Sequence, residues 1–254
     1  MKWWLKMQII NRIFNILEFV AEDPDNPRSL SEIAARAGLN PPTCANITKG
    51  LVKRGYLEQI APKKGYILGP MPYYLARNGQ YRKDLVSLAY PFMSELADSL
   101  QETVQIAVMR DTNIFILHQI QGNQSLQVRS DLLMHRNIYQ TATGRLLLAF
   151  SSKKQIEKYI LEHSLPGNAW PEAETAEKLH AALQEIKSSG CSYVIKDSQV
   201  AGVACPIREK ERVIAAIGVY LPAFRFEGKQ KTFIIEKLCE TAAAIGRQPQ
   251  KRDN

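Results

Sequence analysis

The chain has 254 residues, 45% hydrophobic and 23% charged, which is ordinary for a globular protein and leaves room for two modest domains. That balance excludes wholesale disorder and collagen-like structure. The formal net charge of +8 is uneven: residues 1–83 hold 13 Lys and Arg against 6 Asp and Glu, a net +7, whereas residues 84–254 hold 20 against 19. A small basic module joined to a nearly neutral larger one points to phosphate binding at one end.

The longest charge-free stretch, Asn113 to Val128, is interrupted by Asn, Gln and His118, so nothing approaches the roughly 20 apolar residues of a membrane span. The start, Met1 to Lys6, lacks the long apolar run and small-residue cleavage site of a secretory leader. The expectation is a cytoplasmic protein without a membrane partner. Cys44, Cys191, Cys205 and Cys239 show no CxxC spacing and do not cluster with the four histidines, which reads as buried reduced thiols. Neither a metal site, a disulfide framework nor a cofactor is expected.

Ile10, Ile13, Phe14 and Leu17 recur at helical spacing and predict a first helix with these residues as its apolar stripe. After the loop Ala21 to Pro27, Ser29 stands three residues before Glu32 as a capping box requires, and a second helix runs from about Ser31 to Ala37 before Gly38. Asn40 caps a third helix, with Pro41 in its first turn, that ends at Gly55. Two short helices joined by a Gly-containing turn form a helix-turn-helix. At 100° per residue, Cys44, Ile47 and Leu51 share one side of the third helix, and Pro42, Asn46, Lys49 and Lys53 share the other. No acid occurs between Asn40 and Leu57, so this exposed face is what a major groove requires; a merely solvated helix back would mix Glu with Lys.

Tyr56 to Ile60 and Tyr66 to Leu68 are β-prone runs around Ala61 to Gly65, a wing whose Lys63 and Lys64 would meet phosphates. The reading places Asn46 and Lys49 on bases and Lys53, Lys63 and Lys64 on phosphates, with Ser31, Pro42 and Thr43 completing the DNA face.

The stretch from Leu30 to Pro70, with its AlaGlyLeu turn, ArgGlyTyrLeu exit and GlyTyrIleLeuGlyPro end, resembles the winged helix-turn-helix of IclR-type transcriptional regulators.

Pro72 to Leu100 reads as a pair of linker helices broken near Gly79. Thr103 to Met109, Asn113 to His118 and Ser125 to Arg129 read as an antiparallel meander. Helical runs follow at Thr143 to Phe150, Lys153 to His163 and Ala173 to Ser188. Strands near Cys191 to Lys196, Ala201 to Ile207 and Val213 to Tyr220 come next, then a closing helix from about Glu227 to Ile245. The class is α+β. Division at 1–70, 71–100 and 101–254 gives the winged domain, the linker helices and a second domain.

The second domain is similar to the GAF-like IclR effector domain in Glu102 to Val108, in Tyr139-Gln140-Thr141-Ala142-Thr143-Gly144-Arg145, in Ala204-Cys205-Pro206-Ile207 and in Leu221 to Arg225. The resemblance implies a small-metabolite effector held at Thr141, Ala142, Thr143 and Gly144, with Gly202, Gly218 and Tyr220 opposite and Asp197 in the place of the family's pocket acid. The ThrAlaThrGlyArg loop leads into a helix whose amides and dipole suit an anionic group, the alternative being tight packing at Gly144 with a surface ion pair at Arg145. Where the family often has histidine, cysteine and two serines, this chain has Tyr139, Gly202, Gly218 and Tyr220. Two glycines beside one tyrosine suggest a larger ligand, a sugar acid or an aromatic acid.

The sequence is thus read as a ligand-responsive DNA-binding regulator, a repressor working as a homodimer or dimer of dimers on a double-stranded operator. The competing readings are a constitutive DNA-binding dimer and an enzyme. For the enzyme, His118, His135, His163 and His180 stand alone and no nucleophile motif occurs.

Overall fold

In a computed structural model the described residues are 2–61, 64–78, 83–124, 126, 128, 134–135, 137–196 and 199–248. They form two compact units, Met1–Tyr81 and Arg82–Asn254.

The N-terminal unit is built from α1 (Lys2–Ala21), α2 (Leu30–Ala37), α3 (Pro41–Lys53), the hairpin β1 (Leu57–Gln59) and β2 (Tyr66–Leu68), and α4 (Pro70–Asn78). The capping box at α2 is present: Ser29 Oγ accepts from the Glu32 amide, and the Ser29 amide donates to Glu32 Oε2 at 2.7 Å. Gly38 then ends α2 in the left-handed conformation, where a side chain would be strained. Asn40 caps α3 by accepting from the Thr43 amide at 2.9 Å. Ile16, Val20, Ile33, Ala34, Cys44, Leu51 and Leu57 form the core of this unit.

The expected stripe on α1 needs correction. Ile13 and Leu17 do pack against the core, but its buried members are Ile16 and Val20, and Ile10 and Phe14 lie 48% and 56% exposed. Two apolar rows compete on this helix, and tertiary packing chose the one that the period alone did not favour.

The C-terminal unit begins with α5 (Lys83–Leu100) and carries a six-stranded antiparallel sheet. Its strands are β3 (Thr103–Arg110), β4 (Asn113–Ile120), β5 (Met134–His135), β6 (Ser192–Lys196), β7 (Val200–Glu209) and β8 (Arg212–Pro222), in the order β5-β4-β3-β8-β7-β6. Strand alternation sends Val104, Ile106, Val203, Cys205, Ile217, Val219 and Leu221 to one face, where α5 and α9 (Gly228–Gly246) cover them. The other face, with Ala107, Ala204 and Ala216, is covered by α6 (Ala142–Ala149), α7 (Lys153–His163) and α8 (Ala176–Ser189). A single antiparallel sheet with a helical layer on each face is the α+β class expected.

Two other sequence readings change. The outer partner of β4 is Met134–His135; of the run Ser125 to Arg129 expected there, residues 126 and 128 are in no strand, and residues 125, 127 and 129 lie outside the described residues. Cys205 on β7 and Cys239 on α9 form a disulfide with their Cα atoms 5.5 Å apart. The reduced-thiol reading therefore fails for this pair, because packing α9 on the sheet joins residues 34 apart that no local spacing relates. Cys44 and Cys191 are free, and burial raises both thiol pKa values, Cys191 to about 11.

Candidate functional site

In α3, Cys44, Thr48 and Leu51 are buried, while Pro42, Asn46, Lys49 and Lys53 are exposed on the opposite side. The Thr48 hydroxyl donates to the Cys44 carbonyl at 3.0 Å, so its polar group is used within the helix. Thr43 is half-buried at the helix start. Ser31 is exposed on α2, its hydroxyl 3.0 Å from that of Ser29. Lys64 is exposed beside the β1–β2 turn, and Lys63 lies outside the described residues. The hairpin is tied to the body by Arg28, whose amide donates to Tyr66 O and whose carbonyl accepts from the Tyr66 amide. These contacts fix the wing's base against the segment that leads into α2.

In the C-terminal unit, Thr141 caps α6 by accepting from the Gly144 amide at 3.0 Å. A side chain at Gly144 would run into the Ile138 carbonyl, so the approach to the preceding turn requires glycine. Ala142 and Thr143 are fully buried. Across from them, Tyr220 pairs in register with Gly202, and Gly218 with Ala204. The Tyr220 ring lies against both glycines: a Cβ would stand 2.9 Å from it at Gly202 and 3.3 Å from it at Gly218. The glycines therefore seat this ring instead of leaving open volume, which corrects the expectation that they enlarge the pocket.

The Tyr220 hydroxyl lies 3.0 Å from Thr143 Oγ1. Burial raises its pKa, against the opposing pull of the Thr143 side chain, the Thr143 backbone and the Gln105 side chain. A protein hydroxyl thus stands at the α6 N-terminus, where an anionic ligand group was expected. Asp197 lies outside the described residues. Tyr139, at the position where the family often has histidine, is buried and donates to Ser164 O at 3.2 Å, so it is spent in the core.

Arg145 is not on the surface. It donates to Tyr139 O at 2.7 Å and to Ala169 O at 2.9 Å, and its guanidinium stacks 4.1 Å from the Trp170 ring centroid. Burial lowers its pKa to about 10. Among the described residues Arg145 makes no surface ion pair, although the Glu172 carboxylate partly offsets the effect of burial.

The residue that sequence reading missed is Gln105. It is 1% exposed and pairs with Gly218 across β3 and β8; its side chain faces the Tyr220 hydroxyl, but among the described residues neither amide atom meets a partner in hydrogen-bond geometry. The same cross-sheet row runs through Ala204 to Ser192, whose buried hydroxyl also meets no partner among the described residues. This primary amide, with one donor face and one acceptor face, lies beside two hydroxyls and a helix start in a buried, neutral polar cluster.

Residues 10–61 match the IclR helix-turn-helix domain, and residues 80–247 match the bacterial transcriptional regulator IclR C-terminal domain. The chain belongs to the IclR family. It is accordingly a transcriptional regulator with a helix-turn-helix domain and a C-terminal effector-binding domain. The HTH-type transcriptional regulator KipR of Bacillus subtilis is 28% identical over 228 residues, covering 87% of this chain and 89% of that protein. The transcriptional repressor IclR of Escherichia coli is 22% identical over 252 residues, covering 95% and 91%. Among solved structures, an IclR homologue of Microbacterium hydrocarbonoxydans complexed with 4-hydroxybenzoate superposes with a TM-score of 0.75 at 24% identity, covering 93% of this chain and 97% of that one. An IclR regulator of Alicyclobacillus acidocaldarius gives a TM-score of 0.75 at 19% identity, covering 93% and 96%. At these identities the IclR structures establish the shared fold.

Proposed function

We propose that the chain represses transcription from a double-stranded DNA operator and is released by a small hydroxylated acid, either a sugar acid or an aromatic acid. The observation that carries the effector reading is the buried Gln105 amide beside the hydroxyls of Thr143 and Tyr220, without a partner in hydrogen-bond geometry among the described residues. Leaving a buried amide without partners costs about 1–3 kcal/mol, a cost that a ligand with its own donors and acceptors removes. Thr141, Ala142, Thr143 and Gly144 form one wall, and Gly202, Gly218 and Tyr220 the other, with Asp197 kept as the candidate pocket acid. The 4-hydroxybenzoate bound to the Microbacterium homologue is in keeping with a ligand that has a hydroxyl at one end and a carboxylate at the other.

On the DNA side, Asn46 and Lys49 read bases, and Lys53, Lys63 and Lys64 meet phosphates, with Ser31, Pro42 and Thr43 at the margin of the interface. The protein acts inside the cell as a homodimer or dimer of dimers, and the exposed Ile10 and Phe14 offer a second copy an apolar face. No catalytic role is assigned, and the division into residues 1–70, 71–100 and 101–254 is kept for the DNA-binding, linking and sensing parts.

Fluorescence anisotropy on DNA from upstream of its own gene tests this reading, with 4-hydroxybenzoate and gluconate as ligands. Specific binding that weakens when either ligand is added supports it. Equal affinity for random DNA at every salt concentration would refute the operator, and unchanged affinity across a panel of hydroxy acids would refute the effector class.

A further inference from the structure

The sheet of the C-terminal unit has a recess on the face turned away from α6. It is a cleft of about 240 Å³ between the end of α5, the end of β8 and the start of α9, with Leu100, Leu221, Phe224 and Ile234 as its apolar lining. Glu102 also lines it, 4% exposed. One of its carboxyl oxygens, Oε1, accepts from Arg225 Nη1 at 2.7 Å. The other, Oε2, is buried and meets no partner among the described residues.

We propose that this cleft is a ligand site for a small organic amine, whose ammonium group donates to Glu102 Oε2 while its apolar body lies against Phe224 and Ile234. The charge fits: Glu102 and Glu227 against Arg225 leave the lining net negative. The guanidinium of Arg225 is already engaged by Glu102 Oε1 and the Leu126 carbonyl, so it does not turn the recess toward anions. Burial raises the Glu102 carboxyl pKa more strongly than Arg225 lowers it, the condition of a carboxylate short of positive charge. The volume lies below that of drug-sized pockets and limits the ligand to a small molecule. Phe224 is 63% exposed, so an apolar body seated there would cover a ring that the fold leaves in water.

The site is independent of the polar cluster at α6, because successive residues of β8 point to opposite faces: Tyr220 toward Thr143, Leu221 toward α9.

The test is calorimetric titration of the full chain with three probes of one shape and different heads: phenethylamine, 2-phenylethanol and 3-phenylpropionate. The expected result is phenethylamine binding roughly tenfold more tightly than either of the others, a charge-assisted bond set against a neutral or repelled one. Glu102→Gln should erase that preference. Gln230→Trp, on an exposed position of α9 that lines the cleft, should block all binding without touching the core. Gln105→Leu, on the other face, should leave phenethylamine affinity within roughly twofold. The proposal is overturned if the three probes bind alike or none binds at millimolar concentration. It is also overturned if Gln230→Trp binds phenethylamine as the parent does, or if Gln105→Leu abolishes that binding.

Discussion

Replacing Gln105 by leucine separates what the fold needs from what a ligand needs. The side chain is 1% exposed and among the described residues neither amide atom has a partner in hydrogen-bond geometry, so the desolvation cost of that group is offset only by its contact with the Tyr220 hydroxyl. Mutational data put this at about 1–3 kcal/mol. Leucine has a similar volume and no polar atoms, so Gln105→Leu should stabilise the unliganded C-terminal unit by that amount. For 150–250 residues each kcal/mol moves the melting temperature by about 2–4 °C, so an upward shift of about 2 to 12 °C is expected. The same substitution removes the donor and acceptor offered to an effector. A ligand at about 100 times its Kd adds roughly 2.7 kcal/mol of stability to the parent, and that increment should vanish. Differential scanning calorimetry with and without the effector identified by anisotropy measures both effects. A lower melting temperature in the unliganded variant would mean that the amide supports the fold, and a full ligand-induced shift would place the effector elsewhere; either result refutes the reasoning.

Asn46→Ala should cost about 1–3 kcal/mol of operator affinity and relax preference at one base pair, whereas Lys64→Ala should weaken all sequences alike and flatten the salt dependence in the same anisotropy assay. Identical sequence-independent losses would remove the distinction between base and phosphate contacts. Ser29→Ala removes a side-chain cap of α2 and should destabilise the N-terminal unit by about 0.5–2 kcal/mol in urea titrations. The Glu32 carboxyl is held below its usual value of 4.5, first by the Ser29 hydroxyl and then by the Ser29 amide. Its contribution is therefore full above pH about 4.5 and fades as the pH falls below it, a dependence that Glu32→Gln should flatten. The Cys205–Cys239 link predicts two titratable thiols in the denatured, unreduced protein, where four would disprove it; by loop-closure entropy, Cys239→Ser should cost about 3–4 kcal/mol.

The N-terminal fold was legible because its signals are local. The capping box at Ser29, the Asn40-Pro41 start and the acid-free face of α3 lie within a few residues of the chain and need no knowledge of what packs on them. The α1 stripe was misread because Ile10 and Phe14 have the same period as the residues that do face the core. In the C-terminal unit, the loop from Thr141 to Gly144 and the glycines of β7 and β8 were identified by resemblance, but the occupant of their space, the Tyr220 ring, is set by cross-strand register. Gln105 escaped notice for a related reason. In Thr103 to Met109 it stands on the polar side of a period-two strand, which in sequence looks like a solvent face; only the layer of α6 over that side makes it a buried orphan. Cys205 and Cys239 meet through the docking of α9, which no spacing encodes.

Helix α6 is buried along its whole length, from Ala142 to Ala149, and is pinned to the preceding turn at Gly144. A helix end normally frays, and a ligand that binds a frayed end must first order it, losing affinity to that entropy. On the proposed reading, the backbone that would meet the ligand is already packed on all sides before anything arrives. Discrimination among similar acids then rests on the shape and hydrogen-bond pattern of a rigid template, so closely related molecules should differ in affinity with little difference in how far the helix start adjusts.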